Sequence, residues 1–344
     1  MAVYTVLDRK DLSSIAAEYG LGRLIKSEGV SAGSVNTFYL LETARGRFFL
    51  KIDEVKGEPE VKREIDLLLF LRRHRFPCPQ PISDKKGRFL HELGGKCLSL
   101  YRYITGKILT PPELALPQLK NVGKVLADLH RVGRGYKKGI ENRFSFERVV
   151  ELYRGVRERL PTYLKKVTRT LDEEVDYLHH YLEETLPQGI IHGDLFADNL
   201  IFRGERIAGV LDFEAAGRGK FIFDLATAVN ALCYKDHRFV LGAFEALMSG
   251  YESVNPLSLV EWDAFPNELR FSALRFTVTR LKDFFLNPME SERRENKDFR
   301  EFFERLQVLR REREGGIEGL LMVMATGYDY RKYQKVKASE KNTE

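Results

Sequence analysis

Only three cysteines occur in 344 residues, at positions 78, 97 and 233, and no two form a Cys-x-x-Cys pair. An odd, widely spaced set of thiols supports neither a disulfide framework nor a zinc site, and a reduced, cytoplasmic setting is the expectation. Long apolar runs are also missing. No window holds the eighteen or so uncharged apolar residues that a membrane span requires. The opening MAVYTVLDRKDLSSIA lacks the basic stretch, apolar run and cleavage site of an export signal. Proline and glycine, at 12 and 27 residues, are too few for a collagen-like or low-complexity chain. No sign of charge dominates: 56 Lys and Arg against 50 Asp and Glu leave +6, which suits an anionic ligand but not a dedicated nucleic-acid binder. The basic runs at 72–75 and 310–313 have no interleaved aromatics and read as solvated helix faces. No membrane or nucleic-acid partner is expected.

What is present is the mix of a folded protein, 43% hydrophobic and 31% charged, at a length that suggests two lobes. Residues 1–105 read as β-rich. FYLLET and RFFLKI flank Ala44-Arg45-Gly46 as a hairpin. Upstream, a strand from Leu24, the turn EGVSAGS and a second strand from about Val35 fit the remaining space. Val61, Ile65, Leu68 and Leu69 recur at helical spacing and stop before Pro77, and GRFLHEL and CLSLYRYI supply further strands. Residues 106–344 turn helical. Leu119, Val122, Leu126 and Leu129 share one face, Val175, Leu178 and Leu182 another, and Phe299, Phe302, Phe303, Leu306 and Leu309 form an aromatic stripe that reads as core. The last stretch, YRKYQKVKASEKNTE, is polar and is expected to fray.

The informative segment is 189–226, GIIHGDLFADNLIFRGERIAGVLDFEAAGRGKFIFDLA. It reads as a loop with Asp194 and Asn199 five residues apart, a strand, a turn at Gly204, a second strand and then Asp212. A hairpin of those strands would return Asp212 beside Asn199. Two carboxylates with an amide at strand ends can hold a hard cation through oxygen while one carboxylate serves as a base. The histidines make no such set: His130 ends a helix and His179-His180 are adjacent, so none has the spacing for a shared metal.

The run His192-Gly193-Asp194-Leu195-Phe196-Ala197-Asp198-Asn199 with Asp212-Phe213-Glu214 resembles the catalytic and metal-binding loops of the aminoglycoside phosphotransferase and choline kinase superfamily. The resemblance implies an α+β, two-lobed, protein-kinase-like fold, with a small antiparallel β lobe and a larger helical lobe. It implies a kinase using ATP and Mg²⁺, in which Asp194 orients or deprotonates the acceptor hydroxyl and Asn199 and Asp212 hold the metal. Lys51, ending RFFLKI, falls where such a lobe carries its phosphate-binding lysine, with Glu64 as ion partner and Glu60 as rival. Gly29, Ser31, Gly33 and Ser34 of the first turn would cover the phosphates through backbone N–H groups. The segment 101–106 would support adenine. His192 and Asp224 read as residues that brace the loop.

Within the superfamily, AGSVNTFYLLET, HGDLFADN, FDLATAVNALCY and ALRFTVTRLKDFF are similar, in that order, to homoserine kinases of this fold. L-Homoserine is then the implied acceptor. Its carboxylate would pair with Arg275 or Arg280, and its ammonium with Glu214, Asn230 or Asp283. Sister kinases of choline, ethanolamine, hydroxylysine, methylthioribose or an aminoglycoside share the same loops, and a non-catalytic nucleotide-binding module is the alternative of another class.

Overall fold

The computed structural model describes residues 5–30, 36–235, 238–287 and 297–311. They fall into two compact units. The first holds residues up to Gly106 and Ala208–Glu214, and the second holds Lys107–Ile207 with residues 215–287 and 297–311.

In the first unit, helix α1 (Arg9–Glu18) is opened by a reciprocal cap between Asp8 and Asp11. Strands β1 (Leu24–Val30), β2 (Thr37–Thr43) and β3 (Gly46–Asp53) follow, then α2 (Glu58–Arg73). Short strands β4 (Pro81–Ile82) and β5 (Leu90–Leu93) precede β6 (Lys96–Arg102). The sheet runs β1-β2-β3-β6, with β4 and β5 sharing the outer edge of β6, and every pairing is antiparallel. Gly29, expected in a turn, lies inside β1 opposite Tyr39, because β1 runs on to Val30. Central β3 is buried where Leu50 and Ile52 meet Leu41 and Leu100 in the core. Helix α2 places Val61 and Ile65 against Cys97. It ends where Arg75 turns to φ 62° and Phe76 N donates back to Leu71 O at 3.0 Å, which buries the Phe76 ring.

The second unit begins with β7 (Lys107–Ile108), α3 (Leu116–Gly133), α4 (Phe146–Arg157) and α5 (Lys165–Tyr181). Strands β8 (Gln188–Ile191), β9 (Leu200–Arg203), β10 (Arg206–Val210) and β11 (Gly217–Lys220) follow, β10 carrying the chain into the first unit. The remainder is α6 (Phe221–Leu232), β12 (Tyr234–Lys235), β13 (Arg238–Phe239), α7 (Leu241–Glu252), α8 (Leu259–Arg280) and α9 (Arg300–Arg311). Every residue of α6 is buried. Helices α3 and α7 cross at two glycines: a Cβ on Gly123 would stand 1.9 Å from Leu247 O, and one on Gly250 would stand 1.9 Å from Lys120 O. No larger residue fits that crossing.

Helix α8 is buried on nearly all sides and carries charge inward, each charged side chain with its own partner. Glu268 pairs with Lys220, Arg270 chelates Glu174 at 2.7 and 2.6 Å, Arg275 meets Asp194, and Arg280 meets Glu301. Removing one member of the fully buried Arg270–Glu174 pair strands the other, at a cost of about 3–5 kcal/mol. The pairs therefore fix α5, the 192–199 loop and α9 to one rotation of α8. The aromatic stripe of α9 is core, with Phe302 fully buried against Phe276.

Candidate active site

In the first unit the site is built on β3. Strand period two puts Lys51 and Asp53 on one face, where both are buried and Glu64 of α2 meets Lys51. Lys51 Nζ lies 3.3 Å from Glu64 Oε1, 3.3 Å from Asp53 Oδ1 and 2.8 Å from Glu214 Oε1. Glu64 is thus brought to Lys51 by α2, whereas the rival Glu60 is turned to the helix start, where its Oε2 accepts from Gly57 N. Lys56 closes the cluster, 3.0 Å from Glu64 Oε2 and 3.1 Å from Glu214 Oε2.

Two ammonium groups face three carboxylates here. Burial works against charged Lys51, yet Glu64 and Glu214 hold it well above the ordinary lysine range. Burial pushes Asp53 up to about 6 despite the pull of Lys51. Burial would also raise Glu214, but Lys51 and Lys56 bring it down to about 2. Glu214 therefore departs from its expected role with an acceptor ammonium: its carboxylate is shared by Lys51, Lys56 and the Asn36 amide at 2.8 Å. Asp212 precedes it at φ 57°, a left-handed conformation costing a non-glycine residue about 1–2 kcal/mol, and its Oδ1 accepts from Glu214 N at 3.2 Å. Ser31, Gly33 and Ser34 lie outside the described residues.

The second unit holds the loop after β8. Asp224, from the first turn of α6, accepts from His192 N and Gly193 N, both at 2.7 Å. His192 is fully buried, and its Nδ1 accepts from Asp194 N at 3.2 Å. Gly193 turns the chain at φ 75°, where a Cβ would press on Ala215 O at 3.0 Å. Asn199 Nδ2 donates to Asp194 O at 2.8 Å, closing the loop on itself. Behind it, Asp224 Oδ2 meets His130 Nε2 at 3.0 Å, and His130 Nδ1 meets Tyr251 OH at 2.7 Å. Tyr251 OH accepts from Asn255 Nδ2, so its own proton goes to Nδ1 and Nε2–H donates to Asp224. Burial opposes the Asp224 charge, but the hydrogen bond from His130 and the histidine fields hold its carboxyl below the usual range.

Among the described residues the Asp194 side chain meets one cation. Arg275 Nη1 donates to Asp194 Oδ1 at 3.1 Å, and the guanidinium lies between the rings of Phe144 and Phe276, 3.9 and 3.7 Å from their centroids. Arg280, expected beside it, is taken elsewhere: Nη1 donates to Asp298 O at 2.9 Å and to Glu301 Oε2 at 2.5 Å, holding the start of α9. Asn230 is also corrected. It is wholly buried in α6, with Nδ2 donating to Leu269 O at 2.9 Å, and cannot meet a ligand. Asp283 sits partly exposed on the π turn after α8, 3.9 Å from Lys282. Lys297 reaches Asp198 at 3.1 Å, and Phe196 packs on Phe276 and Phe302, so α9 clasps the same loop.

Sequence reasoning missed Asp53, Lys56, His130 and Phe144. Asp53 was findable, two residues from Lys51 on a strand. His130 and Tyr251 are 121 residues apart and gave no local signal. A separate cavity of about 840 Å³, lined by Tyr153, Arg154, Asp172, His179, Arg218 and Lys220 among others, contains none of the expected site residues.

Asn199 and Asp212 offer an amide oxygen and a carboxylate, the donors a hard divalent cation takes. The Asn199 amide suits that use because its nitrogen is occupied by Asp194 O, which assigns the oxygen the outward role. The model of one family, described as the phosphotransferase enzyme family, matches residues 26–257 and so takes in the Lys51 cluster and the 192–199 loop, but not Arg275. The chain belongs to the phosphotransferase enzyme family. Among curated phosphotransferases, the chain is 33% identical over 290 residues to a homoserine kinase of Beijerinckia indica, covering 84% of this chain and 90% of the relative. It is 32% identical over 315 residues to a homoserine kinase of Methylobacillus flagellatus, covering 89% and 94%. Among solved structures, an amicoumacin kinase in complex with AMP-PNP and Ca²⁺ superposes with a TM-score of 0.67 at 17% identity, over 89% of this chain and 93% of that one. The fold is accordingly the two-lobed one of these small-molecule kinases. No described helix is long and apolar enough to cross a membrane.

Proposed function

We propose that this phosphotransferase moves the γ-phosphoryl group of ATP to the side-chain hydroxyl of L-homoserine, with Mg²⁺ as its metal. The observation that carries the chemistry is the Asp194 carboxylate held at one oxygen by Arg275, on a loop whose backbone Asp224 fixes. The acceptor follows from the curated homoserine kinases, whose similarity runs through most of both chains.

Asp194 accepts the hydroxyl proton as the acceptor oxygen bonds to the γ-phosphorus. The bond to the β–γ bridging oxygen breaks, and ADP leaves with that electron pair. Lys51 supplies a fixed positive charge to the phosphates, and Glu64 keeps its ammonium aimed. Asn199 and Asp212 would hold Mg²⁺, which when bound neutralises charge on the phosphate oxygens. The loop spends little energy moving, because Asp224, His192 and Asn199 already hold its backbone, and transfer through a loose transition state needs mainly positioning. The three cysteines are free and buried, which supports a reducing, cytoplasmic setting.

The test is ADP release with ATP and Mg²⁺ over L-homoserine, L-serine, hydroxylysine, choline, ethanolamine, methylthioribose and kanamycin. Homoserine is expected to give the highest kcat/KM. Preference for choline or a sugar would move the chain to a sister kinase, and silence with every acceptor would favour a binding module.

A further inference from the structure

We propose that Arg275 is the receptor for the acceptor's carboxylate as well as the holder of Asp194, so that one guanidinium sets the spacing between the two ends of the substrate. This rests on the amino-acid acceptor proposed above.

A guanidinium has five N–H donors in a rigid plane. In Arg275 the Nη1 corner is taken by Asp194 Oδ1 at 3.1 Å. The opposite long edge, made by Nε and Nη2, has no hydrogen-bond partner among the described residues, and Nε is a buried donor left unmatched. Burying such a donor without a partner costs about 1–3 kcal/mol. Carboxylates take two parallel N–H bonds, and an Nε/Nη2 edge presents two at the required spacing. Phe144 and Phe276 lie against the guanidinium with centroids 3.9 and 3.7 Å from Cζ, so its hydrogen-bonding capacity is directed along the edges of the plane. Only 4% of the side chain reaches solvent, which strengthens any ion pair made there.

The spacing selects the acceptor. In L-homoserine the hydroxyl oxygen lies about 5 Å from the carboxylate carbon when extended. A hydrogen bond of about 2.7 Å from that hydroxyl to the free oxygen of Asp194 adds to this length, so the extended substrate reaches from the Nε/Nη2 edge past the guanidinium to the carboxylate held at Nη1. Arg280 makes no bond to Asp194 among the described residues; its Nη1 is anchored on Asp298 O and Glu301 at the start of α9, so it does not link the two ends in this way. Amino alcohols without a carboxylate would leave the edge empty.

The experiment measures kcat and KM of wild type and Arg275→Gln with L-homoserine and with 3-aminopropan-1-ol, its counterpart lacking the carboxylate. Wild type is expected to favour L-homoserine by roughly 10²–10³-fold in kcat/KM, and the variant by less than about tenfold. KM for L-homoserine should rise in the variant, while kcat falls by a similar factor on both acceptors as Asp194 loses its holder. Because Arg275 is buried, the melting temperature of the variant is checked. Wild type is also assayed with L-homoserine amide, which keeps the shape without the charge and is expected to lose as much as 3-aminopropan-1-ol. Equal loss on both acceptors with the preference intact, or wild-type use of the amide within a fewfold of homoserine, would overturn the carboxylate role. Wild-type preference for 3-aminopropan-1-ol would overturn both that role and the homoserine reading. Preference for another carboxylate-bearing hydroxy amino acid, abolished in Arg275→Gln, would overturn homoserine alone and support the role of Arg275.

Discussion

The two clusters to which the proposed function assigns roles, one in each unit, are built on opposite principles. Around Lys51, four of the five ions have more than one counter-ion: Lys51 touches three carboxylates, Lys56 touches two, and Glu64 and Glu214 each touch two lysines, while Asp53 meets Lys51. Around Asp194 the carboxylate has one cation among the described residues, packed against two rings, and the redundancy lies in the backbone beneath it. A group that binds polyanionic phosphate tolerates a mobile side chain if its charge is secure. A group that takes one proton needs an accurate position and a carboxylate left open at its other oxygen. The first cluster therefore protects charge and the second protects geometry.

The largest break should come from Asp194→Asn. The amide still offers an oxygen to Arg275 Nη1, so the loop should stand, while kcat falls by about 10²–10⁴ and ATP affinity stays within a fewfold, measured by steady-state rates and calorimetry. Lys51→Met removes a charge rather than a position. It should cost roughly 10²–10³ in kcat/KM for ATP and lower the nucleotide's affinity as well, the opposite split from Asp194→Asn. Asp224→Ala tests the support beneath the loop. It leaves His192 N, Gly193 N and His130 without their acceptor, and should cost about 3 kcal/mol of stability in denaturant unfolding. A loss near zero would show that the loop holds itself.

The smallest effect concerns pH. Glu214 is held down at about 2, below its unfolded range, so it adds stability that is present above about pH 4.5 and fades as pH falls toward 2. Asp53, raised to about 6, acts in the other sense: its contribution weakens stability as pH rises from about 4 to 6. The melting-temperature gap between wild type and Glu214→Gln should therefore narrow on acidification below pH 4.5. A gap that widens there would contradict the assignment of Glu214 to the lysines.

How much of this the sequence disclosed follows the range of the forces involved. The β2–β3 hairpin was legible because its turn and its apolar runs are contiguous, and the closed loop from Asp194 to Asn199 was legible because its polar residues are local to one another, as the bond from Asn199 Nδ2 to Asp194 O shows. Lys51 with Glu64 was legible only once those loops had suggested what to seek. Arg275 and Arg280 were not separable, since five residues turn a helix by about 140° and only the packing of α9 decides which one it takes. The role of Glu214 was misread because its partners Lys51 and Lys56 lie more than 150 residues away. Strands β8 and β11 have four residues each, with glycines at 189, 217 and 219, and show no alternation to find.

The most direct test of the central claim is ³¹P NMR of the product after incubation with ATP, Mg²⁺ and L-homoserine. The account predicts ADP together with a phosphate monoester whose phosphorus couples to the γ-methylene protons of homoserine, absent in parallel with Asp194→Asn. Inorganic phosphate as the sole new signal, or an ester formed equally by the variant, would contradict it.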